Sequence, residues 1–215
     1  MIYILEINNL AAVLIENGRY KEAYLTIRKA MEKEERSLRA AGDEDSMHSD
    51  SDLFGSLVPQ IEIASLCPTF SEDKVLFSAP LVIKTSMKAV RDMTCFRQVY
   101  ATALFNMGLA CHLFLRCNFL PKQQHDHCLS LSQALYQQAF VMIADDSAPL
   151  LRLALLNNLM DMSYERGDVE DMGIWGLLFS QVVQKKPLKD TEDYSEHFEN
   201  VWECFMNHSS AACAA

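Results

Sequence analysis

Residues 7–18 read INNLAAVLIENG and residues 156–167 read LNNLMDMSYERG, so two asparagines, a leucine, a glutamate and a glycine recur in register. A looser third copy, residues 104–115, reads LFNMGLACHLFL and keeps one of the asparagines. Each copy reads as one helix, because its apolar and small residues recur at helical spacing. The stripes are Ile7, Leu10, Ala11, Leu14; then Leu104, Met107, Gly108, Cys111; then Leu156, Leu159, Met160, Ser163. A self-similar helix that cannot bury its apolar face alone is the mark of stacked repeats.

Each copy is followed by a second helix. Gly18 leads into RYKEAYLTIRKAM, where Ala23, Ile27 and Ala30 form a small, large, small stripe. Ser132, Tyr136 and Ala139 take the matching places in the second pair, and Met172, Gly176 and Phe179 in the third, with large and small exchanged. This resembles the tetratricopeptide repeat, two antiparallel helices joined by a Gly-containing turn with small residues at their crossing. The resemblance implies an all-α array of about three helix pairs plus a C-terminal capping helix. Twelve residues separate Ala11 from Ala23 and Met160 from Met172, whereas Gly108 and Ser132 are twenty-four apart, so the middle pair must have a longer turn or longer helices.

The expected organisation is a first pair over 1–41, an acidic linker over 42–58, an extended insert over 59–89 and a second pair over 90–146. A third pair over 147–187, a capping helix over 188–207 and a disordered tail over 208–215 complete it. The chain reads as helical almost from its first residue, which implies a start inside a longer array or an end protected by a partner. In the linker, Ser49 is followed by Asp50 and Asp52, a context that acidophilic kinases accept. The insert carries Pro59, Pro68 and Pro80 among β-prone runs such as Leu81-Val82-Ile83, which predicts extended segments or a hairpin. Such an insert can pack back over the helices or serve as a binding element. Tyr194, Phe198, Val201 and Phe205 give the capping helix one apolar face.

With 215 residues, half of them apolar, the chain has material for one domain with a sizeable core. A net charge of −10 argues against nucleic acid or an anionic membrane as the partner. The basic residues between Arg28 and Arg39 alternate with Glu32, Glu34 and Glu35, the pattern of a solvated helix face. Seven scattered cysteines without a secretory signal point to reduced thiols and a cytoplasmic or nuclear protein. The apolar run 101–120 contains His112, Arg116 and Asn118 and reads as a core helix, not a membrane span.

Motif chemistry is sparse. No Gly-rich phosphate loop or G-x-S-x-G elbow occurs, so no cofactor is expected. His125-Asp126-His127-Cys128, with Cys111, His112 and Cys117 a helix away, lacks zinc-ligand spacing, so no metal is expected there. What remains is a surface. By resemblance, the first helix of each pair lines a concave groove, with Asn9, Ala12 and Glu16; Phe105, Asn106, Leu109 and His112; and Asn158, Asp161 and Glu165 as peptide-binding residues. Asn9, Asn106 and Asn158 hold equivalent places. Each amide can donate to a peptide carbonyl and accept from the same peptide's N–H, gripping a backbone while its neighbours select side chains. The alternative is that these amides bond only to adjacent helices.

Groove cations that clamp a terminal carboxylate in one subclass of the family are missing from this lining, and Glu16, Asp161 and Glu165 favour an apolar or basic segment. The expected function is a non-enzymatic adaptor that binds a protein segment. The alternatives are a structural subunit with its repeat faces permanently buried and, more distantly, a hydrolase using His112. On the adaptor reading, Asn106→Ala with Asn158→Ala abolishes partner capture and leaves the helices intact.

Overall fold

The structure, a computed structural model, describes residues 2–42, 61–65, 76–85, 93–143, 148–185, 194 and 196–203. The acidic linker, Ser49, Phe205 and the C-terminal tail lie outside the described residues. Among those described are helices α1 (Ile2–Glu16), α2 (Tyr20–Gly42), α3 (Met93–Cys117), α4 (Lys122–Met142), α5 (Pro149–Arg166) and α6 (Val169–Lys185). Two strands, β1 (Ile61–Ser65) and β2 (Leu81–Thr85), fall between α2 and α3. A further helical stretch, α7, covers 196–203.

The repeated glycines make equivalent turns. Gly18 and Gly167 have φ of 72° and 69°, the left-handed conformation that glycine adopts without steric cost. In the first turn Gly18 N–H donates to Ile15 O at 2.9 Å and Arg19 N–H to Leu14 O at 2.8 Å. In the last, Gly167 N–H donates to Tyr164 O at 3.0 Å and Asp168 N–H to Ser163 O at 2.9 Å. The same residue type at the same register thus reverses the chain in the same way and starts the next helix antiparallel to the last.

Helices pack as consecutive pairs, α1 on α2, α3 on α4 and α5 on α6, with α2 also against α3 and α4 against α5. The second-helix stripes supply the contacts: Ala23, Ile27, Ala30, Tyr136, Ala139 and Phe179 are all fully buried. In the middle pair both helices continue further past their crossing residues, Gly108 and Ser132, before a turn that stays short, since α3 runs on to Cys117 and α4 begins at Lys122. Leu10 departs from its expected role. It is 51% exposed, whereas its counterparts Met107 and Leu159 are buried, because no described helix precedes α1 to cover that face. Phe96–Cys117 of α3 is long and apolar enough to cross a membrane, but 78% of that window is taken up by the protein's own core.

At Gly108 the backbone of α3 lies close against a side chain of α4. A Cβ there would lie 2.8 and 2.9 Å from Cε1 and Cδ1 of Tyr136, whose ring is fully buried. Gly108→Ala is therefore expected to lower stability by about 1–2 kcal/mol, the overpacking penalty exceeding the gain in helix propensity. Chemical denaturation of the variant beside wild type measures it.

The insert forms an antiparallel β1–β2 hairpin with Ile63 opposite Ile83 and Ser65 opposite Leu81. It does not stand apart from the helices. Leu76, Phe77, Leu81 and Ile83 are at most 2% exposed, so the extended segment 76–83 is itself part of the core.

Candidate functional site

The first helix of each pair, α1, α3 and α5, holds this segment through the three asparagines that share a register in the sequence. Asn9 donates from Nδ2 to Ile83 O at 2.9 Å and accepts Ile83 N–H on Oδ1 at 2.8 Å. Asn106 does the same for Leu81, at 2.7 and 2.9 Å. Asn158 does so for Phe77, at 3.2 and 2.9 Å. An amide offers a donor and an acceptor side by side, the arrangement that one residue of an extended strand presents along one edge.

The alternation of the strand divides its backbone between two partners. Leu81 and Ile83 face the helices, which leaves Val82 and Lys84 to pair with Ala64 and Glu62 of β1. Neighbouring side chains fix the amides. Asn8 Nδ2 donates to Asn9 Oδ1 at 3.3 Å and Asn157 Nδ2 to Asn158 Oδ1 at 3.2 Å, so the first residue of each Asn-Asn pair orients the second. Asn106, which lacks that neighbour, donates instead across to Asn8 Oδ1 at 2.9 Å, while Asn158 also reaches the Tyr136 hydroxyl at 3.3 Å. The amides bond both to adjacent helices and to an extended backbone, and that backbone belongs to the same chain.

Of the other residues expected to line a groove, Ala12, Phe105, Leu109 and His112 are buried, Asp161 is nearly so, and Glu16 and Glu165 sit at the exposed rim. The expectation that removing Asn106 and Asn158 leaves the helices untouched needs correction. Asn106 lies wholly in the core and binds core backbone, so its loss acts on folding first.

Phe77 ties this ladder to the C-terminal helix. Its ring stacks on Phe198 at 5.5 Å and lies within 6.3 Å of the Phe105, Tyr194 and His197 rings. Tyr194, Phe198 and Val201, three of the residues expected on one apolar face of this stretch, are all buried. What it covers is the extended segment as well as α6, through Phe179 at 5.9 Å from Phe198.

Burial depresses the His197 imidazole from its ordinary 6.5 to about 4. A proton therefore binds the unfolded chain more tightly than the folded one, and the stabilisation is complete above pH 6.5 and drains away as pH falls toward 4. His197→Phe is expected to flatten that part of a melting temperature against pH profile.

A charged cluster lies a turn or two beyond the ladder. Arg116 Nη2 contacts Asp161 Oδ2 at 2.5 Å and Glu165 Oε1 at 2.7 Å, and its Nε also donates to Glu165 Oε1 at 3.1 Å. His112 Nε2 lies 3.4 Å from Asp161 Oδ2 and 3.7 Å from Glu165 Oε2. Burial pushes the Asp161 carboxyl above its usual value even though Arg116 and His112 oppose it. For Glu165 burial acts in the same direction, but His112 and Arg116 outweigh it and hold the carboxyl at about 2. Arg116 corrects the view of this lining as free of cations. It stands four residues after His112, the helical spacing that places two side chains on one face and could have revealed it.

In the His125–Cys128 stretch, which lies within the start of α4, His125 and Asp126 are 3.7 Å apart. Cys111, Cys117 and Cys128 are free thiols, and burial raises the Cys111 thiol to about 12, which keeps it protonated. Comparison with protein-family models, curated proteins and solved structures finds no match to this chain.

Proposed function

We propose that this chain is a non-enzymatic protein-interaction module of divergent tetratricopeptide-like design, whose inner helices read an extended protein segment by its backbone. The observation that supports this reading is the ladder itself: three amides at equivalent repeat positions, each engaging both polar groups of one residue. Such a grip is indifferent to side-chain identity, so selection falls to the apolar walls around it. The resident segment is the chain's own 77–83, and a partner segment of similar apolar, extended character uses the same rungs by replacing it.

The test supplies the segment in trans. A chain in which residues 76–83 are replaced by a Gly/Ser linker is titrated with a synthetic peptide spanning 74–86. Binding to a folded chain, or a gain of helicity and melting temperature on adding the peptide, supports the reading, and Asn106→Ala in the linker chain removes either effect. A peptide that neither binds nor restores structure contradicts it.

A second reading, a subunit of a larger assembly, is favoured by the apolar side chains that α1 and α6 expose among the described residues. Leu10 and Val13 on α1 are 51% and 45% exposed, and Val169, Ile174 and Leu177 on α6 are 69%, 48% and 60% exposed. Self-association that disappears in Ile174→Lys with Leu177→Lys, with the peptide inert in the first experiment, identifies that case.

A further inference from the structure

His112, Asp161 and Glu165 bring one imidazole nitrogen and two carboxylates from α3 and α5 to within 4.8 Å of one another. From this juxtaposition we propose that they form a binding site for a single divalent transition-metal ion of the zinc type. Imidazole and carboxylate ligands suit such an ion at about 2.0–2.2 Å, which sets neighbouring ligand atoms of a tetrahedron about 3.3–3.6 Å apart. Of the His112 Nε2 separations from the two carboxylate oxygens, 3.4 Å falls within that edge length and 3.7 Å just beyond it, so the three ligand atoms, within 4.8 Å of one another, need only a small inward shift to close on an ion.

A second observation points to a missing ligand. His112 is wholly buried, and neither of its ring nitrogens makes a hydrogen bond. A buried polar atom without a partner carries a desolvation cost, and its Nε2 is aimed into the carboxylates. Charge leads to the same place. An imidazole binds a metal in its neutral form, and with His112 neutral two carboxylates face one guanidinium, an excess negative charge that a dication reverses. Glu165 divides its oxygens, Oε1 to Arg116 and Oε2 toward His112, so one carboxylate can serve both cations at once. Asp161 Oδ2 is contested, since Arg116 Nη2 occupies it at 2.5 Å. Arg116 is thus a built-in competitor, and its side chain, 24% exposed, can withdraw toward solvent as the ion enters. The fourth ligand is a water or a carboxylate from a bound partner.

The competitor gives the test a sign. The full chain, freed of metal, is titrated with Co²⁺, whose visible absorption is strong in tetrahedral nitrogen and oxygen surroundings. The expected result is one equivalent bound, without the thiolate charge-transfer band of a cysteine site. Glu165→Gln, at the rim, is expected to weaken binding by more than about a hundredfold, beyond the roughly 10–100-fold seen on losing an outer-shell partner. Arg116→Met is expected to tighten it roughly tenfold by removing a cation at contact distance. His125→Gln with His127→Gln is expected to leave it unchanged. Absence of stoichiometric binding overturns the site, as does binding that survives Glu165→Gln, is lost with His125 and His127, or weakens in Arg116→Met.

Discussion

Asn106→Ala is expected to destabilise the folded chain by about 3 kcal/mol, with a concerted loss of the extended segment's protection. The side chain is wholly buried and makes three hydrogen bonds, two of them to Leu81. Truncation deletes these and strands the Leu81 N–H in a dry interior, and an unsatisfied buried donor costs about 1–3 kcal/mol beyond the bonds lost. Leu81 O keeps one partner, Asn8 Nδ2 at 3.1 Å, which limits the damage. The effect should fall in order along the ladder. Asn158→Ala, fully buried, ranks with Asn106→Ala, while Asn9→Ala costs less because Asn9 is only partly buried and water can take its place. Asn106→Asp keeps an acceptor for the Leu81 N–H but loses both donors and buries a charge, so it is expected to be no better than alanine. Urea unfolding of the four variants measures the order, and a set of equal, near-zero changes speaks against a structural ladder.

Phe77→Ala is expected to cost about 3–5 kcal/mol, the usual range for truncating a buried phenylalanine. Phe77 is fully buried and joins three parts of the chain, stacking on Phe198 of α7, tilting against Phe105 of α3 and lending its backbone to Asn158 of α5. The cavity therefore opens where the extended segment and α7 meet. Limited proteolysis is expected to cut near residues 194–203 in the variant before α3 and α4 yield, while Phe77→Leu, which refills most of the space, restores resistance. Uniform loss of all helices together would show that α7 does not depend on this contact.

The repeat was legible because its physics is local. The register of residues 7–18, 104–115 and 156–167 fixes which side chains share a helix face, and the glycines at 18 and 167 announce the turns. Even the double bonding of the asparagines to an extended backbone follows from amide chemistry and repeat position. Its occupant does not. Asn9 meets Ile83 across seventy-four residues and Asn158 meets Phe77 across eighty-one, and no local pattern encodes such pairings. The insert's β-prone residues announced an extended segment, and packing over the helices was one of two options, with nothing in the sequence to decide between them. The cluster around Arg116 was half legible. His112, Asp161 and Glu165 were placed on the inner faces, but their meeting depends on how α3 packs beside α5, and Arg116 joins them because α3 continues to Cys117. Leu10 shows the converse, a residue whose stripe position is right but whose burial depends on a neighbour that the first helix lacks among the described residues.

Residue-resolved amide exchange by NMR on the intact chain tests the ladder most directly. The account predicts that the N–H groups of Phe77, Leu81 and Ile83 exchange slowly, that nuclear Overhauser contacts join them to the side-chain amides of Asn158, Asn106 and Asn9 respectively, and that Asn106→Ala speeds exchange at Leu81 more than at residues within α4. Exchange of these three N–H groups at the rate of an unstructured peptide, or side-chain amides without those contacts, would contradict it.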